Sequence, residues 1–284
     1  MKILVLGASG MLGNAVFRTL SATSGLSVVG TLRSDNARRH FAPELQAGLV
    51  SGVDVEREDG LIRVFTEAQP DVVVNCVGLI KQLGNAKDPI AAIPINAMLP
   101  HRLSLLCDLV KARLIHVSTD CVFTGDKGLY LESDTPDATD VYGRTKLLGE
   151  VDAPHAVTLR TSIIGHELNS HFALVDWFLA QTGSVRGFRR AVFSGLPTVE
   201  LAEVIRDHVL PNLSLTGLYH VSVDPINKYD LLTLIADVYG KDISITPSDD
   251  LVIDRSLNSD RFRAATGFSP KPWRTLIEKM HLFG

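Results

Sequence analysis

The chain has 284 residues, 45% of them hydrophobic and 21% charged, and carries a formal net charge of −4 at pH 7. This length allows one large domain or two modest ones with a substantial core, and the composition is that of an ordinary soluble globular protein. The negative charge argues against a nucleic-acid-binding protein, because neutralising phosphates requires a basic surface.

The amino terminus begins with a strand and a glycine-rich turn. Residues 3–6 form a short, unbroken apolar run of the kind that is buried on both faces of a parallel sheet. The segment GASGMLG follows at residues 7–13, and a helical pattern continues through residue 20. Glycines let the backbone approach a pyrophosphate, and a helix N-terminus offers free N–H groups. This arrangement predicts a dinucleotide site with contacts from Gly7, Ser9, Gly10, Met11 and Leu12.

The second predicted strand, residues 27–32, bears on the choice of cofactor. Arg33 and Ser34 follow it directly. A basic residue at this position accommodates the 2′-phosphate of NADP(H), whereas an acidic residue binds a free ribose hydroxyl. We therefore expect NADP(H). Arg38 and Arg39 lie close by and are interpreted as a solvated helix face.

Strands three and four are predicted at residues 49–53 and 71–75. A glycine just past the fourth strand permits close passage of the backbone beside a ligand. The cofactor contacts expected after these two strands are Asp54, Val55, Cys76, Val77 and Gly78. Simple packing is the alternative for the cysteine and the valine.

A long helix is predicted over residues 88–111, interrupted early by Pro94 and Pro100. Asn96 falls where a buried apolar face is expected, and a polar group in such a position needs a partner. It either satisfies backbone groups or holds a water against the site that the next motifs define. We assign it to the cofactor site.

Two motifs downstream carry the chemistry. An apolar strand at residues 114–117 runs into STDCVF, and a turn-rich loop then leads to VYGRTK, with candidate N-caps between residues 137 and 140. Tyr142 and Lys146 lie four residues apart, on one face of the predicted helix. A cation beside a phenol lowers its pKa, which would make Tyr142 a proton donor or acceptor, with Thr119 as a second hydroxyl. The alternative is a surface helix with an ordinary tyrosine and lysine.

The alternation of strand and helix continues to a sixth strand at residues 156–160. Such spacing predicts an α/β fold with a parallel, doubly wound sheet of the Rossmann type. Ligands of these sheets bind outside the carboxyl ends of the strands. The candidate residues all follow such ends, which favours a shared site over scattered structural roles.

Together the motifs resemble the extended short-chain dehydrogenases/reductases of the dTDP-4-dehydrorhamnose reductase type. The matching segments are GASGMLG, NCVG, STDCVF, VYGRTKLLGE, LRTSIIG, FSGLPT, GLYHVS and, less closely, DRSLNSDRF. The resemblance covers essentially the whole chain. It implies that Thr119, Tyr142 and Lys146 are catalytic and that Lys146 also holds the nicotinamide ribose. Tyr142, Lys146 and Ser162 therefore join the expected cofactor contacts. We assign the substrate contacts to Lys81, Thr119, Asp120, Cys121, Arg186, Arg189 and Arg255.

Two departures from the family pattern bear on the substrate. Cys121 stands where relatives usually carry tyrosine, and residues 77–81 replace a run of small residues. The first changes a wall of the site and the second indicates a different sugar. Substrate identity is therefore affected more than the chemistry.

The last third of the chain is expected to complete the sheet and to form a smaller lobe. An amphipathic helix is predicted at residues 171–181, a helix at 198–209 and a strand at 217–221 that returns to the main sheet. The loop at residues 183–190 carries Arg186, Arg189 and Arg190 and is either solvated or a clamp for a sugar-nucleotide diphosphate. We assign residues 1–165 and about 196–222 to the NADP-binding domain. Residues from about 166 to 195 and 223–284 form the substrate-binding lobe.

The cellular setting is predicted from what the sequence lacks. No uninterrupted apolar run is long enough to span a bilayer, and the amino terminus has no signal-peptide architecture. The three cysteines, Cys76, Cys107 and Cys121, have no metal-ligand spacing and resemble small hydrophobes in a reducing compartment. We expect a cytoplasmic protein with no metal, membrane or nucleic-acid partner. The oligomeric state stays open, with a homodimer among the alternatives.

The function implied is NADPH-dependent reduction of a nucleotide-linked 4-keto-6-deoxy sugar, as in deoxysugar or surface-polysaccharide precursor synthesis. One alternative is an epimerase or dehydratase on the same fold. Asp120 fits a dehydratase, but Cys121 follows where such enzymes carry glutamate. The other alternative is a regulatory subunit that binds NADP without catalysis, which fold alone does not exclude. The complete set of Thr119, Tyr142 and Lys146 favours an enzyme.

Overall fold

The computed structural model describes residues 1–79, 87–168 and 171–284. Its strands are β1 Lys2–Leu6, β2 Ser27–Thr31, β3 Leu49–Val50, β4 Val72–Asn75, β5 Arg113–Thr119, β6 Ala156–Thr161, β7 Ile163–Ile164, β8 Ser184–Phe188, β9 Ala191–Phe193, β10 Leu196–Pro197, β11 Gly217–His220, β12 Ile226–Asn227, β13 Ser244–Ser248 and β14 Ile253–Asp254. Its α-helices are α1 Met11–Ser21, α2 Pro43–Gln46, α3 Glu58–Ala68, α4 Pro89–Ala92, α5 Leu99–Val110, α6 Val141–Leu148, α7 Leu174–Ala180, α8 Thr198–Val204, α9 Lys228–Tyr239, α10 Asp260–Thr266 and α11 Trp273–Phe283. Two 3-10 turns, Asp35–His40 and Asp120–Val122, and two π-helical turns, Ile93–Met98 and Ile205–Val209, join these elements.

The main sheet has seven parallel strands in the order β11-β6-β5-β4-β1-β2-β3. The predicted doubly wound α/β fold is therefore confirmed. Strand β11 pairs with β6 at one edge, so the predicted late return of the chain to this sheet is also correct. The central strands β4 and β6 are buried along their whole length, as expected inside a parallel sheet with helices on both faces.

Helices cover both faces of this sheet. Helices α1, α8 and α11 contribute to the core on one face, with Phe17, Leu201 and Leu276 buried there. Helices α3 and α5 cover the other face, with Phe65 and Leu103 buried. The carboxyl ends of the parallel strands are left free, and the candidate residues lie along that edge.

The segment before β5 is helical but irregular, as its prolines predict. It runs as α4, a π-helical turn and α5. Within the described part of the chain, the run Pro89–Val110 has the length and apolar composition of a membrane span. Leu99, Leu103 and Cys107 on this run are buried in the core beneath the sheet, which is how an apolar core helix of a globular domain packs.

The last third contains the main differences from the sequence expectations. Residues 183–190, expected as a loop, contain strand β8, which pairs in parallel with β13. The helix expected at residues 171–181 is shorter, since α7 spans Leu174–Ala180. The third strand of the main sheet is also shorter and ends at Val50. Helices α7, α9 and α11 enclose a separate core that includes Phe178 and Ile235. The division into two lobes stays a proposal.

Candidate active site

Thr119 is the last residue of β5, and a 3-10 turn begins immediately after it. Its hydroxyl accepts a hydrogen bond from the Cys121 N–H at 3.1 Å and donates one to Asp120 Oδ1 at 3.1 Å. Two contacts therefore hold a buried hydroxyl at the carboxyl end of a central strand, where α/β sheets bind ligands.

Helix α6 brings Tyr142 to this hydroxyl. The helix begins after Asp140, whose Oδ1 accepts a hydrogen bond from the Gly143 N–H at 2.7 Å. A Cβ atom on Gly143 would lie 2.3 Å from the carbonyl oxygen of Cys121, so the helix can pack against the turn after β5 only because this residue is glycine. Burial raises the pKa of Tyr142, and a hydrogen bond with Thr119 opposes that effect. The phenol is therefore neutral near neutral pH and carries a proton that it could donate.

Lys146 lies one turn further along α6 and is buried. Its Nζ donates a hydrogen bond to the carbonyl oxygen of Val117 at 2.8 Å. Burial lowers the pKa of Lys146 to about 8, and the Glu150 carboxylate works in the opposite direction. The expectation that Lys146 lowers the pKa of Tyr142 is wrong for this structure. That pKa is raised, chiefly because the phenol is desolvated, and the ammonium is directed to a backbone carbonyl.

Asp120 interacts with the Thr119 hydroxyl and with Arg255, a cation from the far end of the chain. Arg255 donates from Nε to the carbonyl oxygen of Phe123 at 2.8 Å and lies within electrostatic range of Asp120. Burial raises the pKa of Asp120, while Arg255 and hydrogen bonds from neighbouring side chains, Ser162 among them, lower it. Thr119 and Thr161 pair in register, so the residues that follow them are neighbours. Ser162, expected at the cofactor, is thus also a partner of Asp120.

The glycine-rich turn after β1 is tightly packed against α1. Gly7 has a φ of 81°, and its N–H donates to Thr31 Oγ1 at 3.0 Å. A Cβ on Gly13 would lie only 2.0 Å from the carbonyl oxygen of Gly7, so the start of α1 sits directly over the turn. The first N–H groups of a helix have no intrahelical partner and bind anions. These residues fit the diphosphate of a dinucleotide.

Three further residues of this segment, Ser9, Met11 and Leu12, differ in how much of each is accessible to a bound dinucleotide. Ser9 and Met11 are partly exposed and lie at the turn and the first position of α1. The Leu12 side chain is buried in the core, so only its N–H is available to a phosphate. A Cβ on Gly7 would approach Val77 Cγ2 to 2.9 Å, so the turns after β1 and β4 are adjacent, as the strand-end argument predicts.

Arg33 lies just past β2, is exposed and makes no hydrogen bond or ion pair with the described residues. Its guanidinium is thus available for the expected 2′-phosphate. Ser34 caps the 3-10 turn that follows. The interpretation of Arg38 as part of a solvated face is wrong, because it donates to the carbonyl oxygens of Gln46 at 2.5 Å and Leu49 at 3.1 Å. Arg38 therefore holds the 3-10 turn Asp35–His40 against β3 through hydrogen bonds.

The turn after β4 meets helix α6 through Asn96. The Oδ1 atom of this buried side chain accepts from the Leu79 N–H at 2.9 Å, and Nδ2 donates to Thr145 Oγ1 at 3.3 Å. The expectation that this amide needs a partner is confirmed. A Cβ on Gly78 would lie 3.5 Å from Asn96 Oδ1 and 3.8 Å from Lys146 Nζ, which places the NCVG motif beside the Tyr–Lys helix.

The remaining predicted cofactor contacts are also located by the structure. Asp54 lies past β3, and its Oδ1 accepts from the Glu56 N–H at 3.1 Å. Val55 is half-buried against the core. Burial raises the pKa of Cys76 to about 12, so its thiol is inert near neutral pH and serves as packing.

The predicted substrate contacts are not all brought together. Arg186 Nη1 donates to Asp250 Oδ2 at 3.1 Å, and Arg189 forms two hydrogen bonds with Asp249. Both arginines are more than half exposed. Lys81 lies outside the described residues. Among the described residues, Thr119, Asp120, Cys121 and Arg255 form one cluster, whereas Arg189 lies in a surface ion pair.

A cavity of about 340 Å³ is formed in the last third of the chain. Its lining residues are Phe172, Leu174, Trp177, Arg186, Phe188, Lys228 and Leu232. Lys228 is also within electrostatic range of Asp120, Cys121 and Arg255, so it lies between the cavity and that cluster. Sequence reasoning missed this residue. The available signal was a lysine at the first position of a helix, where a positive charge opposes the helix dipole.

No group of three or more histidine, cysteine, aspartate or glutamate residues in the described ranges could hold a metal ion. The chemistry of the cluster is that of hydroxyls, a carboxyl group and ammonium groups.

A seven-stranded parallel sheet, a glycine-rich turn after its first strand and a Thr–Tyr–Lys set on β5 and α6 define an extended short-chain dehydrogenase/reductase. The chain matches the RmlD substrate-binding domain family over residues 1–281 and belongs to that family. The predicted resemblance is therefore confirmed.

Relatives with known names include both reductases and a subunit. The probable low-salt glycan biosynthesis reductase Agl14 of Haloferax volcanii is 28% identical over 301 residues, covering 100% of this chain and 92% of that protein. Methionine adenosyltransferase 2 subunit beta of Danio rerio is 28% identical over 253 residues, covering 84% of this chain and 74% of that protein. The crystal structure of dTDP-4-dehydrorhamnose reductase from Bacillus anthracis in complex with NADP superposes with a TM-score of 0.79 at 20% identity, covering 100% of this chain and 99% of that one. The predictions of an oxidoreductase and of a nicotinamide cofactor agree with these names.

Proposed function

We propose that this protein reduces the ketone of a nucleotide-linked 4-keto-6-deoxy sugar with NADPH. The observation that carries the proposal is the hydrogen bond between the neutral, half-buried Tyr142 and the Thr119 hydroxyl, at the carboxyl end of β5. Membership of a family with named sugar-nucleotide reductases supports the same chemistry. The particular nucleotide and sugar are left open.

Each residue of the site has its own role in the proposed reaction. NADPH, when bound by the turn after β1, supplies the hydride to the ketone carbon. Tyr142 gives its phenolic proton to the carbonyl oxygen as negative charge develops there. Thr119 donates a hydrogen bond to the same oxygen in place of its present bond to Asp120. Lys146, with a pKa of about 8, can hold or release a proton near neutral pH on the same helix face.

Two other activities are distinguished by the fate of the cofactor. An epimerase or dehydratase would retain its cofactor and show no net oxidation of NADPH. A regulatory subunit would bind NADPH without turnover, and the relative from Danio rerio is named as a subunit. A reductase consumes one NADPH for each ketone that is reduced.

The test is a mass-spectrometric screen of NADPH-dependent reduction across 4-keto-6-deoxy sugars linked to dTDP and to UDP. Tyr142→Phe should keep the fold and NADPH binding but lower kcat by about a hundredfold to ten-thousandfold, the usual contribution of a general acid. Tyr219→Phe is a matched control, because Tyr219 is a buried tyrosine of edge strand β11. Parental turnover by Tyr142→Phe would refute the catalytic assignment. Absence of any reduced sugar, with NADPH bound, would favour the regulatory alternative.

A further inference from the structure

The Lys228 ammonium has no hydrogen-bond or ion-pair partner among the described residues. Lys228 is the first residue of α9 and is half-buried. The preceding residue, Asn227, caps the helix by accepting from the Asp230 N–H. The start of α9 is therefore satisfied without the lysine side chain.

Three features of the surroundings disfavour a positive charge there. The N-terminal end of a helix carries a partial positive charge. Arg255 lies within electrostatic range, and burial is the largest of the effects that lower the pKa of Lys228. Only Asp120 and Cys121 raise the pKa of Lys228. Conflicts between a residue and its local environment are expected at functional sites, because function and not folding has selected the residue.

The cavity beside Lys228 indicates the shape of a ligand. Its walls include three aromatic side chains, Phe172, Trp177 and Phe188, which suit a planar ring. The other cation of the wall, Arg186, is already bonded to Asp250 and its side chain is 67% exposed. Lys228 thus lies between the aromatic cavity and Asp120, which is bonded to the Thr119 hydroxyl of the candidate active site. A molecule that spans this distance fits best if it is planar at one end, anionic in the middle and reactive at the other end.

We propose that Lys228 binds the diphosphate of the substrate and that the aromatic cavity receives its base. This inference rests on the proposed function, since it names the part of a nucleotide sugar that Lys228 recognises. An ammonium group that lacks a partner gains charge-assisted hydrogen bonds to phosphate oxygens, and the anion offsets the repulsion from Arg255. The bond also positions the sugar against Thr119 and Tyr142, so Lys228 is a residue of specificity and not of proton transfer.

The test measures ligand binding without turnover. Calorimetry on the NADPH-saturated protein compares UDP and dTDP with the phosphate-free nucleosides uridine and thymidine. Lys228→Met should weaken the better-bound nucleoside diphosphate by about tenfold to a hundredfold, the usual worth of a hydrogen bond to a charged group. It should leave nucleoside binding and NADPH affinity unchanged. Lys228→Arg should retain most of the diphosphate affinity, since it keeps the charge.

Lys241→Met is the matched control, because Lys241 is a half-buried lysine of the same lobe that donates to the carbonyl oxygen of Leu179 at 2.7 Å. It should bind the diphosphate like the parent. Equal diphosphate affinity in the parent and Lys228→Met overturns the inference, and so does a parent that binds neither diphosphate. Equal losses for nucleoside and diphosphate would show a structural role and would overturn it as well.

Failure of the Lys228 assignment can be distinguished from failure of the proposed reductase activity. If a 4-keto sugar nucleotide is reduced but the KM is the same in Lys228→Met, only the assignment of Lys228 fails. If no ketone is reduced but diphosphate binding depends on Lys228, the recognition site stands and the reductase activity fails. The substrate KM should rise in Lys228→Met while kcat changes much less than in Tyr142→Phe.

Discussion

Replacing Lys146 by methionine should stabilise the cofactor-free protein while it removes activity. Lys146 is buried, and its pKa falls from the ordinary 10.5 to about 8 in the folded protein. One pKa unit corresponds to about 1.4 kcal/mol of free energy. The charged ammonium therefore costs the fold about 3 kcal/mol at neutral pH.

Methionine avoids this cost but loses the hydrogen bond from Lys146 to the Val117 carbonyl oxygen. A hydrogen bond from a charged group contributes about 2 kcal/mol. The net gain in the free energy of unfolding is thus about 1 kcal/mol. For a domain of this size, such a gain raises the melting temperature by about 2 °C. Turnover should fall by about a hundredfold or more, as for a group coupled to proton transfer.

The pH dependence of stability is a second and sharper readout. Below about pH 8 Lys146 is charged in both the folded and the unfolded state, and above pH 10.5 it is neutral in both. Between these values the unfolded state binds more protons, so this lysine makes parental stability rise with pH. The variant lacks this contribution. The stability difference between variant and parent should therefore shrink from pH 8 to pH 10, as followed by chemical denaturation.

Lys241→Met supplies the control, because it also removes a lysine bond to a main-chain carbonyl. It should lower the melting temperature, since the bond to Leu179 is lost. A Lys146→Met protein that is destabilised at pH 7 as much as this control would refute the burial argument. So would a stability difference that does not change between pH 8 and pH 10.

Three further changes test the other assignments. Thr119→Val should lower kcat by about a hundredfold, as for the loss of one oxyanion donor, and turnover equal to the parent would contradict that role. Arg33→Ala should weaken NADPH binding far more than NADH binding, because only NADPH carries the extra phosphate; equal losses in a fluorescence titration would oppose this assignment. Arg189→Gln should leave the substrate KM nearly unchanged, because Arg189 is paired with Asp249 at the surface, and a large rise in KM would restore the diphosphate clamp.

Much of the site could be predicted from the sequence because its signals are local. The glycine-rich turn, the strand before it and the helix after it are contiguous in the chain. Tyr142 and Lys146 are four residues apart, which fixes their common helix face. The alternation of strands and helices predicts a parallel sheet, and the carboxyl ends of its strands share one edge. Thr119 and Gly78 meet α6 for that reason.

Other features of the site could not be predicted from the sequence, because they depend on contacts between segments that are distant in the chain. The neutral state of Tyr142 follows from burial, which no local spacing reveals. Strand β8 was expected as a loop because its partner, β13, lies far along the chain. Lys228 is distant in sequence from Thr119 and Tyr142, yet folding brings it within electrostatic range of Asp120. Desolvation and the pairing of remote charges are properties of the packed molecule, and so the protonation states and the substrate side of the site emerge only when the chain is folded.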